Sequence, residues 1–173
     1  MRNRQPAAYV KGVMKTFSFV LLGMAFATAI ALADLAQSGR PAPQFSAPYA
    51  AGGNFKLSWL HGKPVYLNFY ASWCAPCNEE APDINALQKK YRKRGLTVLA
   101  VDEQESADRA QGFINKYRLT YRAVLDQHGD VLAPYGALGL PVHVFIDRRG
   151  TIKLVRNGEM SKTEIESAIR SIL

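Results

Sequence analysis

The sequence predicts an α/β fold: a mixed central sheet with helices packed against it. Three observations predict this: strand-length apolar runs alternate with helical periodicity, an Arg149-Gly150 turn separates two late strand patterns, and a capped amphipathic segment closes the chain. In order, residues 45–57 read as an irregular, hairpin-like entry. Val65, Tyr66, Leu67, Asn68, Phe69 and Tyr70 then form a continuous, mostly apolar run, the pattern of a strand covered on both faces. A helix is expected over 77–94, where Ala81, Ile84, Leu87 and Tyr91 recur at steps of three and four and Gly95 supplies the stop. A second strand at 97–101, a helix at 106–118 capped by Ser106 and a third strand at 121–125 follow. Segments 142–147 and 152–157 flank the Arg149-Gly150 turn as an antiparallel hairpin. Ser161 caps the last helix, with Glu164 at the reciprocal capping-box position.

The chain has 173 residues, the length of one ordinary domain. Its 22 Lys and Arg exceed its 14 Asp and Glu, but Arg2, Arg4, Lys11 and Lys15 precede an uncharged segment. From residue 34 onward eighteen cations face fourteen anions, a net +4. Such a mild excess does not by itself argue for a nucleic-acid partner. The densest basic run, Lys89-Lys90-Tyr91-Arg92-Lys93-Arg94, ends the first helix, where cations suit the C-terminal dipole.

Residues 16–33 run without a charge through Phe17, Val20, Leu21, Leu22, Phe26 and Ile30. At ~1.5 Å per residue they span ~27 Å of a ~30 Å hydrocarbon core. The preceding cations keep residues 1–15 cytoplasmic and send everything after Ala33 across the membrane. Two fates stay open: a retained single-pass anchor, or a signal peptide cleaved after Ala31-Leu32-Ala33 to leave a secreted or periplasmic protein. Both make the remainder extracytoplasmic. Residues 34–43, with Gly39, Pro41 and Pro43, read as a linker, and 44–173 as the folded domain.

Only two cysteines occur, three positions apart in Trp73-Cys74-Ala75-Pro76-Cys77. With no other cysteine, the pair is free to cycle between dithiol and disulfide. Cys74 falls where a buried strand gives way to a helix, so backbone N–H groups and the positive dipole end face its sulfur. A thiol pKa of ~8.5 can fall to between ~3.5 and ~7.5 in such settings, and the thiolate is the nucleophile. Cys77, one turn inside the helix, is placed to act second, and Pro76 fits the first turn, where its missing N–H removes no intrahelical bond. A zinc site would need two more ligands, yet His61, His128 and His143 stand at no ligand spacing, so no metal is expected. Peroxidase chemistry would expect a Pro and a Thr or Ser where Leu67 and Ala71 stand.

The run from Asn68 through Trp73-Cys74-Ala75-Pro76-Cys77 resembles the active-site signature of thioredoxin-like proteins. Glu80 and Pro82, Val124-Leu125-Asp126, and Gly139-Leu140-Pro141 are similar to the ResA and TlpA subfamily, over residues 41–173. That resemblance implies a thioredoxin-like fold with an N-terminal β-hairpin, a central βα insertion and a sheet flanked by helices. It also implies a cis proline at Pro141, turning the backbone of Leu140 toward an incoming peptide. Asn68 stands where thioredoxin has a buried aspartate, and Asn cannot trade a proton. Glu80, three residues after Cys77 on the same helix face, is the proton acceptor and donor that the resemblance implies, with Glu79 as its internal control. His143 departs from the family's usual Thr. It reads as a neutral core histidine, with a part in tuning the site left open. Trp73 reads as a packing lid beside Cys74, and Tyr70 as a neighbour on that surface.

The resemblance further implies a reductase without a cofactor beyond the Cys74–Cys77 disulfide, fed electrons by a membrane thiol-disulfide donor. Its substrate would be the Cys-x-x-Cys-His disulfide of apocytochrome c. Other envelope or spore-coat disulfides are the alternative within the class. From another class, a chaperone-like module would hold apocytochrome or another thiol protein without net electron transfer.

Overall fold

The computed structural model describes residues 37–173, so the basic N-terminus and the apolar segment at 1–33 lie outside the described residues. A short antiparallel hairpin, β1 (Ser46–Pro48) and β2 (Asn54–Lys56), opens the fold and runs into a 3₁₀ turn at Leu57–Leu60. The central sheet comprises β3 (Val65–Tyr70), β4 (Thr97–Glu103), β5 (Arg122–Asp126), β6 (Val142–Ile146) and β7 (Ile152–Asn157), in the order β5-β4-β3-β6-β7. Strands β3, β4 and β5 pair in parallel, whereas β6 pairs antiparallel with both β3 and β7, which makes the sheet mixed. The helices are α1 (Ala75–Tyr91), α2 (Ala107–Lys116) and α3 (Lys162–Ile172). The expected central insertion is α2 with β5, which widens the sheet beyond β4 before the chain returns to β6.

The two cores follow from strand alternation. Tyr66 and Tyr70 face one side with Ala81, Ile84, Leu87, Phe113, Ile165 and Ile169, so all three helices cover that face. Val65, Leu67 and Phe69 face the other, where Ala47, Phe55, Leu57, Val131 and Tyr135 from the hairpin and two 3₁₀ turns close it. Every residue of β3 is buried, as its unbroken apolar run requires.

Several boundaries differ from expectation. Helix α1 starts at Ala75 rather than 77, because Cys74 itself is the cap and Pro76 occupies the first turn. It ends at Tyr91, and Arg92–Arg94 tighten into a 3₁₀ turn before Gly95, whose φ of +94° needs glycine. Strand β4 runs on past Val101 through Asp102 and Glu103, two acidic residues that pairing with β5 nonetheless buries. The segment read as a linker is docked at its end: Gly39 N–H donates to Ile152 O, Ala42 N–H to Gly150 O, and Ala42 is buried. Backbone hydrogen bonds therefore begin ordering the fold ahead of residue 44. Among the described residues no helix is long and apolar enough to cross a membrane.

Candidate active site

The site forms where β3 ends and α1 begins. Cys74 is the N-cap of α1, and its Sγ accepts from Cys77 N–H at 3.3 Å. The two cysteines are joined as a disulfide with Cα atoms 5.3 Å apart, and both are buried. Because Cys74 Sγ sits on the unpaired N–H groups of the first turn, negative charge that develops there after reduction meets aligned donors. Trp73, read as a lid, is instead 71% exposed, because it precedes the helix in the loop and projects away from the core. It offers an apolar surface beside Cys74. Tyr70 is buried at the end of β3, with its ring 4.4 Å from that of Phe113, and does not line that surface.

The peptide bond between Leu140 and Pro141 is cis. Leu140 is half-buried and packs against the cluster that contains both cysteines, while Pro141 O accepts from Gly158 N–H at 2.9 Å. Leu138, nearby in the chain, is 94% exposed.

Glu80 lies one turn past Cys77 on the buried side of α1, at 5% exposure, whereas Glu79 is exposed. Its Oε1 accepts from Met160 N–H at 2.6 Å, and its Oε2 lies 3.5 Å from His143 Nε2. Burial pushes the Glu80 carboxyl up to about 7, partly offset by the Met160 N–H and reinforced by the charge of Glu159. His143 is wholly buried on β6, opposite Asn68 in the register, and its Nδ1 is 2.7 Å from Tyr66 Oη. Burial pulls its imidazole down to about 4, so it is neutral at physiological pH. Asn68 is buried with an unpartnered Nδ2, a polar group in this layer that carries no proton to exchange.

Other residues around the site were not foreseen. Asn78 Nδ2 donates to Ser72 O at 2.9 Å and to Cys74 O at 2.7 Å, while its Oδ1 accepts from Tyr117 Oη and Lys116 Nζ. Glu105 accepts from both the backbone N–H and the hydroxyl of Ser72. The loop before Cys74 is thereby tied to α2 and to the end of β4. The signal for Asn78 was weak: an Asn in a first helical turn, where polar side chains find unpaired backbone groups. Nothing in sequence spacing pointed to Tyr66 or Met160, which meet His143 and Glu80 across about eighty residues of chain. His61 and His128 are exposed, and among the described residues no three His, Cys, Asp or Glu side chains converge as metal ligands do.

Residues 38–155 match the AhpC/TSA family. The chain is 32% identical over 134 residues to the thiol-disulfide oxidoreductase ResA of Bacillus thuringiensis subsp. konkukian, covering 78% of each chain. It is 37% identical over 134 residues to ResA of Geobacillus kaustophilus, covering 78% of this chain and 77% of that one. Among solved structures it resembles a putative thiol:disulfide interchange protein DsbE from Chlorobium tepidum, with a TM-score of 0.74 and 33% identity over 79% of this chain and 98% of that one. With a thioredoxin-like sheet, a Cys-x-x-Cys disulfide at a helix mouth and these relatives, the chain belongs to the AhpC/TSA family and, within it, to the ResA-like thiol-disulfide oxidoreductases.

Proposed function

We propose that this oxidoreductase works outside the cytoplasm as a protein-disulfide reductase, and that its substrate is the Cys-x-x-Cys-His disulfide of apocytochrome c. The observation that carries the reductase reading is the pairing of Cys74, capping α1, with Cys77 and a buried carboxyl one turn further on. The cytochrome substrate and the membrane electron donor rest on the likeness to ResA, and the extracytoplasmic location on the charge pattern of residues 1–33.

The reaction follows from the chemistry of the pair. The Cys74 thiolate attacks one sulfur of the substrate disulfide, forms a mixed disulfide and expels the other substrate sulfur as thiolate. Cys77 passes its proton to Glu80 and attacks Cys74 Sγ, which releases the second substrate sulfur and closes the Cys74–Cys77 bond. Two electrons leave the pair for the substrate, and the proton held by Glu80 goes to a departing thiolate. A membrane dithiol donor reverses these steps on the enzyme and restores the reduced pair. Trp73, Leu140 and Pro141 supply the surface on which the substrate peptide lies.

A Cys77→Ser variant tests this with a peptide containing a Cys-x-x-Cys-His disulfide. The expected result is a stable mixed disulfide at Cys74 and loss of turnover. A Cys77→Ser variant that binds the peptide without covalent capture, and supports cytochrome maturation as the parent does, would establish a holding function and end the reductase reading.

A further inference from the structure

Both oxygens of Glu80 face nitrogen atoms, and only one of those contacts is at bonding distance in the disulfide form. Oε1 accepts from Met160 N–H, whereas Oε2 and His143 Nε2 face each other at 3.5 Å and neither has a bonded partner. Closing that gap by about half an ångström would make it an ordinary hydrogen bond. Whether it attracts depends on which imidazole nitrogen carries the proton.

Tyr66 decides this. Its side chain is wholly buried beside the imidazole, and its hydroxyl has one polar partner, His143 Nδ1 at 2.7 Å. If Nδ1–H donated to the tyrosine oxygen, the tyrosine proton would be left buried without an acceptor, which is costly. With Tyr66 donating, Nδ1 accepts, and the single proton of a neutral imidazole must sit on Nε2. Burial keeps Tyr66 protonated, well above the usual tyrosine range, and keeps His143 neutral. We propose that Tyr66 and His143 form a positioning pair for Glu80: Tyr66 fixes the Nε2–H tautomer of His143, and that N–H donates to Oε2 whenever Glu80 is ionised.

The consequence concerns the resolving step, and it rests on Glu80 as the proton acceptor of Cys77. Ionised Glu80 is met by two donors, Met160 N–H and His143 Nε2–H. Protonated Glu80 loses one of these bonds and finds no acceptor in exchange. The pair thus opposes the effect of burial and keeps Glu80 a usable base near neutral pH. The proton taken from Cys77 stays on the carboxyl and leaves with the substrate thiolate, while the imidazole gains and loses none. Cys77 lies one turn before Glu80 on α1, and the other groups acting on this pair are Tyr121 ahead of β5, Arg156 on β7 and Glu159 before α3. Glu159 raises the carboxyl, Arg156 opposes a charged imidazole, and neither donates to Oε2. The Gly158 backbone also faces the imidazole and favours its protonated form, against the larger effect of burial.

NMR of the full-length protein tests the pair directly. Nitrogen shifts of His143 should place the proton on Nε2 and leave Nδ1 bare from about pH 5 to about pH 8. The carboxyl carbon of Glu80 should titrate about one to two pH units higher in His143→Val than in the parent. It should stay near the parent value in His143→Gln, whose amide N–H reaches toward the same oxygen. A proton on Nδ1 in the parent overturns the proposal without any variant. So does an unchanged Glu80 midpoint in folded His143→Val, or a His143→Gln midpoint that moves as far as that of the Val variant. Covalent capture by Cys77→Ser is independent of these results, so failure here leaves the reductase reading intact.

Discussion

At the scale of single residues, the proposed resolving step depends on a carboxyl whose proton is poised near neutrality. Glu80 is buried, and its carboxyl is pushed up to about 7, while Glu79 on the solvent side of α1 is exposed. A base acts only in its ionised form, so the resolving attack of Cys77 should speed up as pH rises through about 7 and then level off. Glu80→Gln should remove that inflection and slow resolution about 10²-fold. Glu79→Gln should change neither. Stopped-flow reduction of a disulfide peptide across this range checks both variants, and an inflection that survives in Glu80→Gln would move the base elsewhere. The Cys74–Cys77 pair, the burial of Glu80 and the cis bond at Pro141 were legible in the sequence because each has a signature within a short stretch. Of the neighbours that set the environment of Glu80, His143 was singled out, whereas Tyr66 and Met160 were not. Tyr66 and His143 meet through the pairing of β3 with β6, and Met160 reaches Glu80 from the loop before α3, all of them far apart in the chain.

At the scale of elements, the active-site loop is held from outside its own strand and helix. Asn78 bridges the carbonyls of Ser72 and Cys74 to Tyr117 at the end of α2, and Glu105 at the end of β4 grips Ser72. The inserted α2–β5 unit therefore braces the helix mouth as well as widening the sheet. Asn78→Ala would leave the Tyr117 hydroxyl and two carbonyls without these partners, at a cost of about 1–2 kcal/mol. Urea unfolding should read that loss, whereas Lys116→Ala, an exposed partner of the same oxygen, should leave stability nearly unchanged. Equal effects of the two substitutions would refute the brace. Element by element, among the described residues the sequence pattern located the three α-helices and the five strands of the central sheet, and the errors lie at ends. Strand β4 runs two residues past the expected 97–101, through Asp102 and Glu103, and α1 begins two residues ahead of the expected 77, with Cys74 as its cap. For β4, pairing with β5 buries two acidic residues whose type does not suggest a strand, whereas the start of α1 is set locally by the Cys74 cap.

At the scale of the whole molecule, the buried ionisable groups set how stability changes with pH. Glu103 lies under β5 against Asp126, and burial first, then that neighbour, pushes its carboxyl up to about 9. Asp102 is pushed up to about 7 by burial and by the charge of Glu105, and Glu80 to about 7 as well. For each, the folded state holds a proton that the unfolded chain has already released above its ordinary value near 4. Between that value and the folded one, unfolding releases protons, so stability falls as pH rises. His143 acts in the opposite sense: its imidazole is lowered to about 4, so between there and about 6.5 the unfolded chain binds the extra proton and stability rises with pH. Three carboxyls against one imidazole leave a net decline worth about two protons below about 6.5. Above that, His143 drops out and the decline steepens to about 7, after which Glu103 alone carries it to about 9. Urea midpoints measured across this span should therefore fall throughout, with a distinct final portion from about 7 to about 9. Glu103→Gln should flatten that final portion and leave the earlier fall in place. A parent protein whose midpoint holds or rises from pH 7 to pH 9 would show that Glu103 is already ionised in the fold, despite its burial beside β5.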